Sequence, residues 1–224
     1  MSTSISKHQS LLKDHRWLLA FFASKNPWAV LRFVLPMCFG MIYLMLQNNV
    51  SSYFSILGLF VGFFYWTFFE YIYHRFFFHW QLKNNFLGKA VNSFHHYHHQ
   101  NPKDIEVINS GVVTALIGLP FHFSIWFFLT QKNIGFTAAI LLGFLITYSF
   151  YEWVHYIVHK KQFKSGIMRF LQEFHLTHHV IANKNFGQIT PIWDYFLNTA
   201  TKNKRVDDSK VMKSFIYSLR GKNV

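Results

Sequence analysis

Long apolar runs alternate with polar stretches along this chain. Four of the runs are long enough to cross a hydrocarbon core of about 30 Å as helices. They cover residues 28–46, 54–73, 111–130 and 134–158. Because the connections 47–53 and 131–133 are short, the runs should pair into two helical hairpins. The pattern therefore predicts an all-α integral membrane protein with four transmembrane helices, organised as a single domain over residues 1–224.

The two ends of the chain differ from this apolar middle. Residues 1–27 are polar to amphipathic, which predicts a helix lying on the membrane surface. Residues 201–224 form a basic tail to which no chemistry is assigned. Neither end adds a further membrane span.

Composition supports the membrane class and excludes others. Hydrophobic residues make up 51% of the chain and aromatic residues 21%, with 28 Phe, far above soluble usage. The net charge of +13 does not indicate nucleic-acid binding, because the basic residues flank the apolar runs as lipid contacts and topology signals do. Cys38 is the only cysteine, so disulfides and thiolate metal sites within one chain are excluded.

The distribution of Lys and Arg predicts the orientation. Residues 1–27 carry four, residues 74–110 carry four and residues 159–224 carry twelve, whereas the two short loops carry only Lys132. By the positive-inside rule, both termini and the long loop should be cytoplasmic. The membrane would be a bacterial inner membrane or the endoplasmic reticulum.

Ten histidines follow one layout twice: a spaced pair, then 16 residues later a triplet at i, i+3 and i+4. They are His74, His79, His95, His98, His99, His155, His159, His175, His178 and His179. Residues at i, i+3 and i+4 share one face of a helix. All ten fall at or beyond the ends of the second and fourth predicted spans, so the sequence predicts a cytoplasmic, histidine-rich cap on the membrane helices.

Ten imidazoles suit two metal ions with four or five ligands each. Hard cations such as Mg²⁺ and Ca²⁺ prefer oxygen, which leaves Fe, Zn, Cu and Ni open on ligand type alone. His155 and His159 are i, i+4 and share a helix face. His74 and His79 are i, i+5, so we expect the helix to end or bend near residues 76–78 for both to reach one site.

Four further polar residues are candidates for supporting the ligands. Glu70 and Glu152 each precede a histidine pair by about one turn inside an apolar span, where a carboxylate is costly without a partner. Each could accept the second N–H of a ligand imidazole, or could pair with a cation such as Arg75. Asn185 and Asp194, which follow the last triplet, could also complete the site.

Two other histidines are left out of the site. His96 projects about 100° away from the face of its triplet. His122 is alone in the third predicted span, where we expect a packing role with its polar atoms satisfied.

In these motifs the chain resembles the fatty acid hydroxylase/sterol desaturase superfamily. The similar residues run from Glu70-Tyr-Ile-Tyr-His74-Arg-Phe-Phe-Phe-His79 through both triplets to Asn185-Phe-Gly and Trp193-Asp194-Tyr-Phe-Leu-Asn-Thr199. The resemblance covers roughly residues 55–200. The motif Pro102-x-Asp104 and the phenylalanines of the first pair are most similar to the fatty acid 2-hydroxylase branch.

The resemblance implies a non-haem dimetal centre that uses O₂ and two electrons to oxidise a C–H bond of a lipid acyl chain, near its carboxyl end. Such chemistry needs a redox-active metal, so iron is expected, with zinc as an alternative occupant that has no redox chemistry. The chain lacks the haem-binding electron-donor domain of some family members, so a separate electron-transfer protein should supply the electrons.

Three other functions compete with hydroxylation. A lipid or sterol desaturase would use the same site. A membrane metal transporter or sensor would place ligands near the bilayer midplane, where only His122 fits. A b-type haem carrier would pair single axial histidines on facing helices, which clustered triplets do not do.

Overall fold

The computed structural model describes residues 23–24, 27–79, 92–102 and 104–201. In this part of the chain the α-helices are α1 Pro27–Gln47, α2 Ser52–Ile72, α3 Tyr97–Gln100, α4 Val112–Leu129, α5 Ile134–Lys160, α6 Gly166–Val180 and α7 Ile192–Phe196. A π-helix, Tyr73–Phe78, continues α2, and a second one, Asn92–His96, precedes α3. A 3₁₀ turn spans Ile105–Val107. Two short strands, β1 Ala23–Ser24 and β2 Asn109–Ser110, pair antiparallel.

Three helical segments of the described chain are long and apolar enough to cross a membrane. They are Pro27–Gln47, Ser52–Phe78 and Ile134–Lys160. These segments correspond to the predicted spans at 28–46, 54–73 and 134–158, and the last two extend further at their C-terminal ends. The predicted helical fold is therefore confirmed, with three helices that could span a membrane.

The remaining predicted span, 111–130, corresponds to α4. This helix has 18 residues, and its apolar part, Ala115–Leu129, is shorter than the other three segments. At 1.5 Å per residue, α4 is about 27 Å long, slightly less than the hydrocarbon thickness. That α4 forms a fourth span stays a prediction. The predicted surface helix at 1–27 and the tail at 201–224 lie almost wholly outside the described residues.

The chain divides into two compact units. The first comprises Met1–Trp66 and Asp104–Trp153, and the second comprises Thr67–Lys103 and Val154–Val224. Each unit takes its residues from two separate stretches of sequence. All ten histidines of the predicted metal site belong to the second unit.

Small residues allow α2 and α5 to pack closely within the first unit. A Cβ added to Gly62 would clash with the backbone oxygen of Ile140, and one added to Gly143 would clash with the backbone oxygen of Leu59. Gly58 faces Ala139 in the same way. Both helices therefore carry two small residues four positions apart, a spacing that lets membrane helices approach backbone to backbone.

Candidate metal centre

The π-helix brings the first histidine pair to one side. An α-helix would place residues five apart on different faces, but a π-helix bonds residue i to i+5. The rings of His74 and His79 accordingly lie 5.2 Å apart between centroids. The prediction that the helix ends or bends near residues 76–78 is therefore confirmed, because the regular α-helix gives way to a wider turn at Tyr73 and the helix ends at Phe78. The second pair, His155 and His159, needs no such device and lies on the regular helix α5.

Nine histidine side chains of the second unit form two groups, and within each group the potential ligand nitrogens all lie within 4.8 Å of one another. The first cluster is His74, His79, His95, His99 and His178. The second cluster is His98, His155, His159 and His175. His179 lies beside the second cluster, with its Nε2 3.0 Å from Nε2 of His175. All ten predicted ligands are thus brought together.

The two clusters are adjacent. The rings of His99 and His179 stack, with 4.4 Å between their centroids. The ring centroids of His98 and His179 are 4.8 Å apart, and those of His99 and His178 are 4.7 Å apart. The triplets therefore interleave, because each contributes a ring to the neighbourhood of both clusters.

The Nε2 atoms converge as they would around a shared ion. In the first cluster, His79 Nε2 lies 2.9 Å from His178 Nε2 and 3.0 Å from His95 Nε2. In the second, His159 Nε2 lies 2.8 Å from His175 Nε2. Two nitrogens bound at right angles to one ion, each about 2.1 Å from it, are about 3.0 Å apart. These separations fit metal ligation.

Burial also favours a bound cation. His98, His159, His175 and His178 are each at most 2% exposed, and His74 Nε2 is buried without a hydrogen-bond partner among the described residues. Burial, with neighbouring histidines, lowers the pKa of His79 to about 3 and that of His99 to about 2. Both imidazoles are therefore neutral near pH 7, the form that binds metal.

Backbone carbonyls hold the outer nitrogens of the first cluster. His74 Nδ1 lies 2.5 Å from the carbonyl oxygen of Phe186, and His178 Nδ1 lies 2.7 Å from that of Lys184. An Nδ1–H donated to a carbonyl leaves the Nε2 lone pair free for a metal and fixes the ring orientation. These two carbonyls could not be picked out from the sequence, because every residue has one.

Three predicted supporting residues brace the loop that carries these carbonyls. Asp194 is fully buried and accepts hydrogen bonds from Phe186 N at 2.8 Å and Gly187 N at 2.7 Å. Glu70 accepts from the backbone N–H of Gln188. Asn185 donates to the carbonyl of Phe174 at 3.1 Å. All three therefore act on the loop, which in turn contacts the histidines.

Asn185 has a further conformational role. It adopts a left-handed backbone conformation, with φ +58°, which Asn tolerates better than most residues. Its side-chain oxygen accepts from Thr201 N at 2.8 Å. The turn after the last triplet is therefore fixed at both ends.

Glu152 has different partners. Its carboxylate accepts from Asn109 Nδ2 at 2.7 Å and from Ser110 N at 3.0 Å, within the first unit. It is 1% exposed, so these bonds satisfy a buried carboxylate beside strand β2. A role toward His155, its neighbour along α5, stays a prediction.

One supporting residue was missed by the sequence argument. Gln172 is 2% exposed, and its Nε2 donates to the carbonyls of Val158 at 2.7 Å and Lys161 at 2.5 Å. It also accepts from Phe163 N at 3.1 Å. Because α5 ends at Lys160 and Gln172 precedes His175 by three residues, this side chain ties the end of α5 to α6. The only sequence signal was an uncharged polar residue among the buried positions of α6.

The two excluded histidines belong to neither cluster. His96 is half-buried, with its ring 6.1 Å from that of His79. His122 is buried in the first unit, and its Nδ1 lies 2.8 Å from the hydroxyl of Tyr65. This contact agrees with the packing role expected for His122.

Comparison with known proteins decides the family. The sequence model of the fatty acid hydroxylase family matches residues 59–199, which is more than half of the chain and includes every clustered histidine. The chain belongs to the fatty acid hydroxylase family. The resemblance inferred from the histidine motifs is therefore confirmed.

Individual relatives of this fatty acid hydroxylase chain are similar over most of its length. A dihydroceramide fatty acyl 2-hydroxylase of Arabidopsis thaliana is 33% identical, over 64% of this chain and 60% of that protein. A fatty acid 2-hydroxylase of Mus musculus is 32% identical, over 64% of this chain and 39% of that protein. A solved structure of full-length scs7p, with only its hydroxylase domain visible, superposes with a TM-score of 0.70 at 25% identity, covering 84% of this chain and 70% of that one.

Proposed function

We propose that this chain is a membrane-embedded lipid hydroxylase that inserts oxygen from O₂ into a C–H bond of a fatty acyl chain near its carboxyl end. The observation that carries the proposal is the pair of adjacent imidazole clusters, whose ring nitrogens converge at about the spacing of ligands on one ion. Family membership supports the reaction class. The relatives named above carry fatty acid or fatty acyl 2-hydroxylase in their names, which favours carbon 2.

The clusters would hold two non-haem metal ions, with iron as the expected metal. When bound, iron supplies the redox chemistry that lets O₂ and two electrons oxidise an unactivated C–H bond. Zinc would fit the ligands without supplying that chemistry. The histidines bind and enclose the ions, while the carbonyls of Phe186 and Lys184 orient two of the rings.

The depth of the clusters supports attack near the carboxyl end. His74 lies four residues before the end of the segment Ser52–Phe78, and His155 lies five residues before the end of Ile134–Lys160. At about 1.5 Å per residue, both are within about 8 Å of a span end. The head-group end of a lipid occupies that level, so its first carbons are nearer than mid-chain carbons.

The remaining parts of the proposal concern topology and partners. We propose that α4 is a fourth span, that the site and both termini face the cytoplasm, and that both units act as one domain over residues 1–224. The charge distribution supports this orientation, since twenty of the 22 Lys and Arg residues fall on the proposed cytoplasmic side. Electrons would come from a separate electron-transfer protein.

Isotope labelling in a host that lacks acyl hydroxylation tests the reaction. Cells expressing the protein under ¹⁸O₂ should accumulate acyl chains heavier by one labelled oxygen, with fragmentation placing it at carbon 2. His178→Ala should lose the product, because this ring is fully buried in the first cluster. His96→Ala is the matched control and should retain it.

Other outcomes would redirect the assignment. Acyl chains lighter by two hydrogens would identify a desaturase. An unchanged lipidome together with metal flux across the membrane would favour a transporter. Label incorporated from water would contradict an O₂-dependent hydroxylase.

A further inference from the structure

Helix α7 exposes a compact apolar surface. Phe196 is 82% exposed, Tyr195 62% and Ile192 43%. These side chains lie at i, i+3 and i+4 and so share one face of the helix. Leu197, next in sequence, is 43% exposed. Contiguous apolar surface of this kind is unfavourable in water and marks contact with another apolar phase.

The opposite face of α7 is fixed inward. Asp194 is fully buried and hydrogen bonds to the loop residues Phe186 and Gly187. Its carbonyl also accepts from Thr199 N at 2.7 Å. Rotating α7 to hide its aromatic residues would break these bonds and leave a buried carboxylate without partners. The apolar face therefore has to stay outward.

The apolar face continues onto a membrane-spanning segment. The ring of Trp193 packs against that of Phe68 at 5.0 Å between centroids, and its Nε1 donates to Thr67 Oγ1 at 3.0 Å. Phe68 belongs to the span Ser52–Phe78 and is itself 37% exposed. The surface of α7 is thus continuous with the surface that this span presents to lipid.

Helix length places this contact below the membrane surface. The span Ser52–Phe78 has 27 residues, about 40 Å of helix against about 30 Å of hydrocarbon. Phe68 lies ten residues, about 15 Å, before the end of the span. Even if all of the excess length projected at that end, Phe68 and Trp193 would lie about 5 Å inside the hydrocarbon.

We infer that α7 is immersed in the bilayer interface, with Ile192, Tyr195 and Phe196 in contact with lipid acyl chains. Trp and Tyr are favoured at this level because they combine an apolar ring with a polar group. Lys184 marks the polar boundary, since its Nζ donates to the carbonyl of Asn198 at 3.1 Å at the C-terminal end of the helix. A lysine there can reach the head groups.

Fluorescence quenching in lipid nanodiscs tests the inference. In a Cys38→Ser background, Phe196→Cys is labelled with an environment-sensitive dye in the full-length protein. Lipids with a spin label near the head group should quench this dye strongly, and aqueous iodide weakly. Lys164→Cys, an exposed site beyond the end of α5, should show the reverse, and Phe60→Cys, 61% exposed on α2, reports full lipid contact.

Each other outcome overturns the inference. Iodide quenching at 196 equal to that at 164 would place α7 in water. Protection from both quenchers would show that protein covers the face, and cross-linking would then distinguish a second copy from another partner. Neither measurement depends on metal loading or turnover, so failure here is separate from failure of the hydroxylase proposal.

Discussion

The two histidine clusters are held by different kinds of structure. The second cluster takes His155, His159 and His175 from the regular helices α5 and α6, which Gln172 ties together. The first cluster depends on a π-helix and on a loop whose carbonyls bond to His74 and His178. Regular helix spacing builds one half of the centre, whereas irregular backbone braced by buried carboxylates builds the other.

The two clusters also differ in the solvent exposure of their histidines. In the second cluster His98, His155, His159 and His175 are all buried, and His179 beside them is half-buried, whereas both His79 and His99 of the first cluster are half-buried. A cluster that depends on a loop and has partly exposed ligands should lose metal more readily than one embedded between helices. The first cluster should therefore be the weaker metal site.

The largest expected effect comes from Asp194→Asn. The new amide would direct an N–H where the carboxylate now accepts from backbone N–H groups, so the loop carrying Phe186 should shift. We expect about 10–100-fold weaker metal binding at the first cluster, as is typical when a residue that supports a metal ligand is changed. Chelator titration with metal analysis should show one equivalent released early and one retained.

Carboxylates at other positions serve as controls for that result. Glu70→Gln should act in the same direction because Glu70 bonds to the same loop. Glu152→Gln should have a smaller effect, since its bonds go to Asn109 and Ser110. Equal effects from all three would indicate a general loss of stability and would contradict the distinction between the clusters.

Gln172→Leu should weaken the second cluster by a smaller factor. It leaves the carbonyls of Val158 and Lys161 without their donor, at about 1–3 kcal/mol for each group that stays buried. Because His155, His159 and His175 remain in regular helices, we expect roughly tenfold faster metal loss at most, measured by chelator kinetics. Arg169→Gln, which removes the partly exposed ion pair with Glu173 on the same helix, is the matched control. Loss confined to the first cluster would refute the assignment of Gln172.

Acidification should destabilise the metal-free protein. The pKa values of His79 and His99 lie at about 3 and about 2, below the usual 6.5. A histidine with a lower pKa in the folded state contributes stability that is complete above about pH 6.5 and is lost as the pH falls toward the folded value. The Tm of chelator-treated protein should therefore fall steadily below about pH 6.5. A Tm that rises on acidification would contradict the burial of these rings.

The smallest effect is expected from Tyr65→Phe in the first unit. It removes the hydrogen bond to His122 and should lower the free energy of unfolding by about 0.5–1.5 kcal/mol. Metal content should be unchanged, because neither residue belongs to either cluster. Loss of metal in this variant would contradict the exclusion of His122 from the metal centre.

Most of the long helices could be predicted from the sequence, because the length of an apolar run indicates the length of the membrane helix. Three spans agree with the structure to within a few residues, except where α2 continues as a π-helix. That π-helix could not be predicted, since nothing in Arg-Phe-Phe-Phe distinguishes it from an α-helix. The i, i+5 spacing of His74 and His79 showed that regularity had to fail, but it did not show how.

Histidine spacing also indicated which rings meet, because residues at i, i+3 and i+4 share a helix face wherever the helix forms. It could not assign rings to clusters, since each triplet contributes to both. The hydrogen-bond partners of Nδ1 in His74 and His178 could not be predicted either, because they are backbone carbonyls of Phe186 and Lys184. The carboxylates that were expected to contact histidines bond instead to the loop that carries these carbonyls.

The π-helix also changes the direction in which the residues after it point around the helix axis. A single additional residue within one turn rotates everything after it by about 100° relative to an unbroken α-helix. In the second half of the molecule the paired histidines are four apart and in phase on α5, whereas in the first half they are five apart and brought into phase by the wider turn. Removing one residue between Arg75 and Phe78 would make the two spacings equal. The two histidine pairs thus differ in spacing by one residue, and the π-helix accommodates that residue within the length of the first pair.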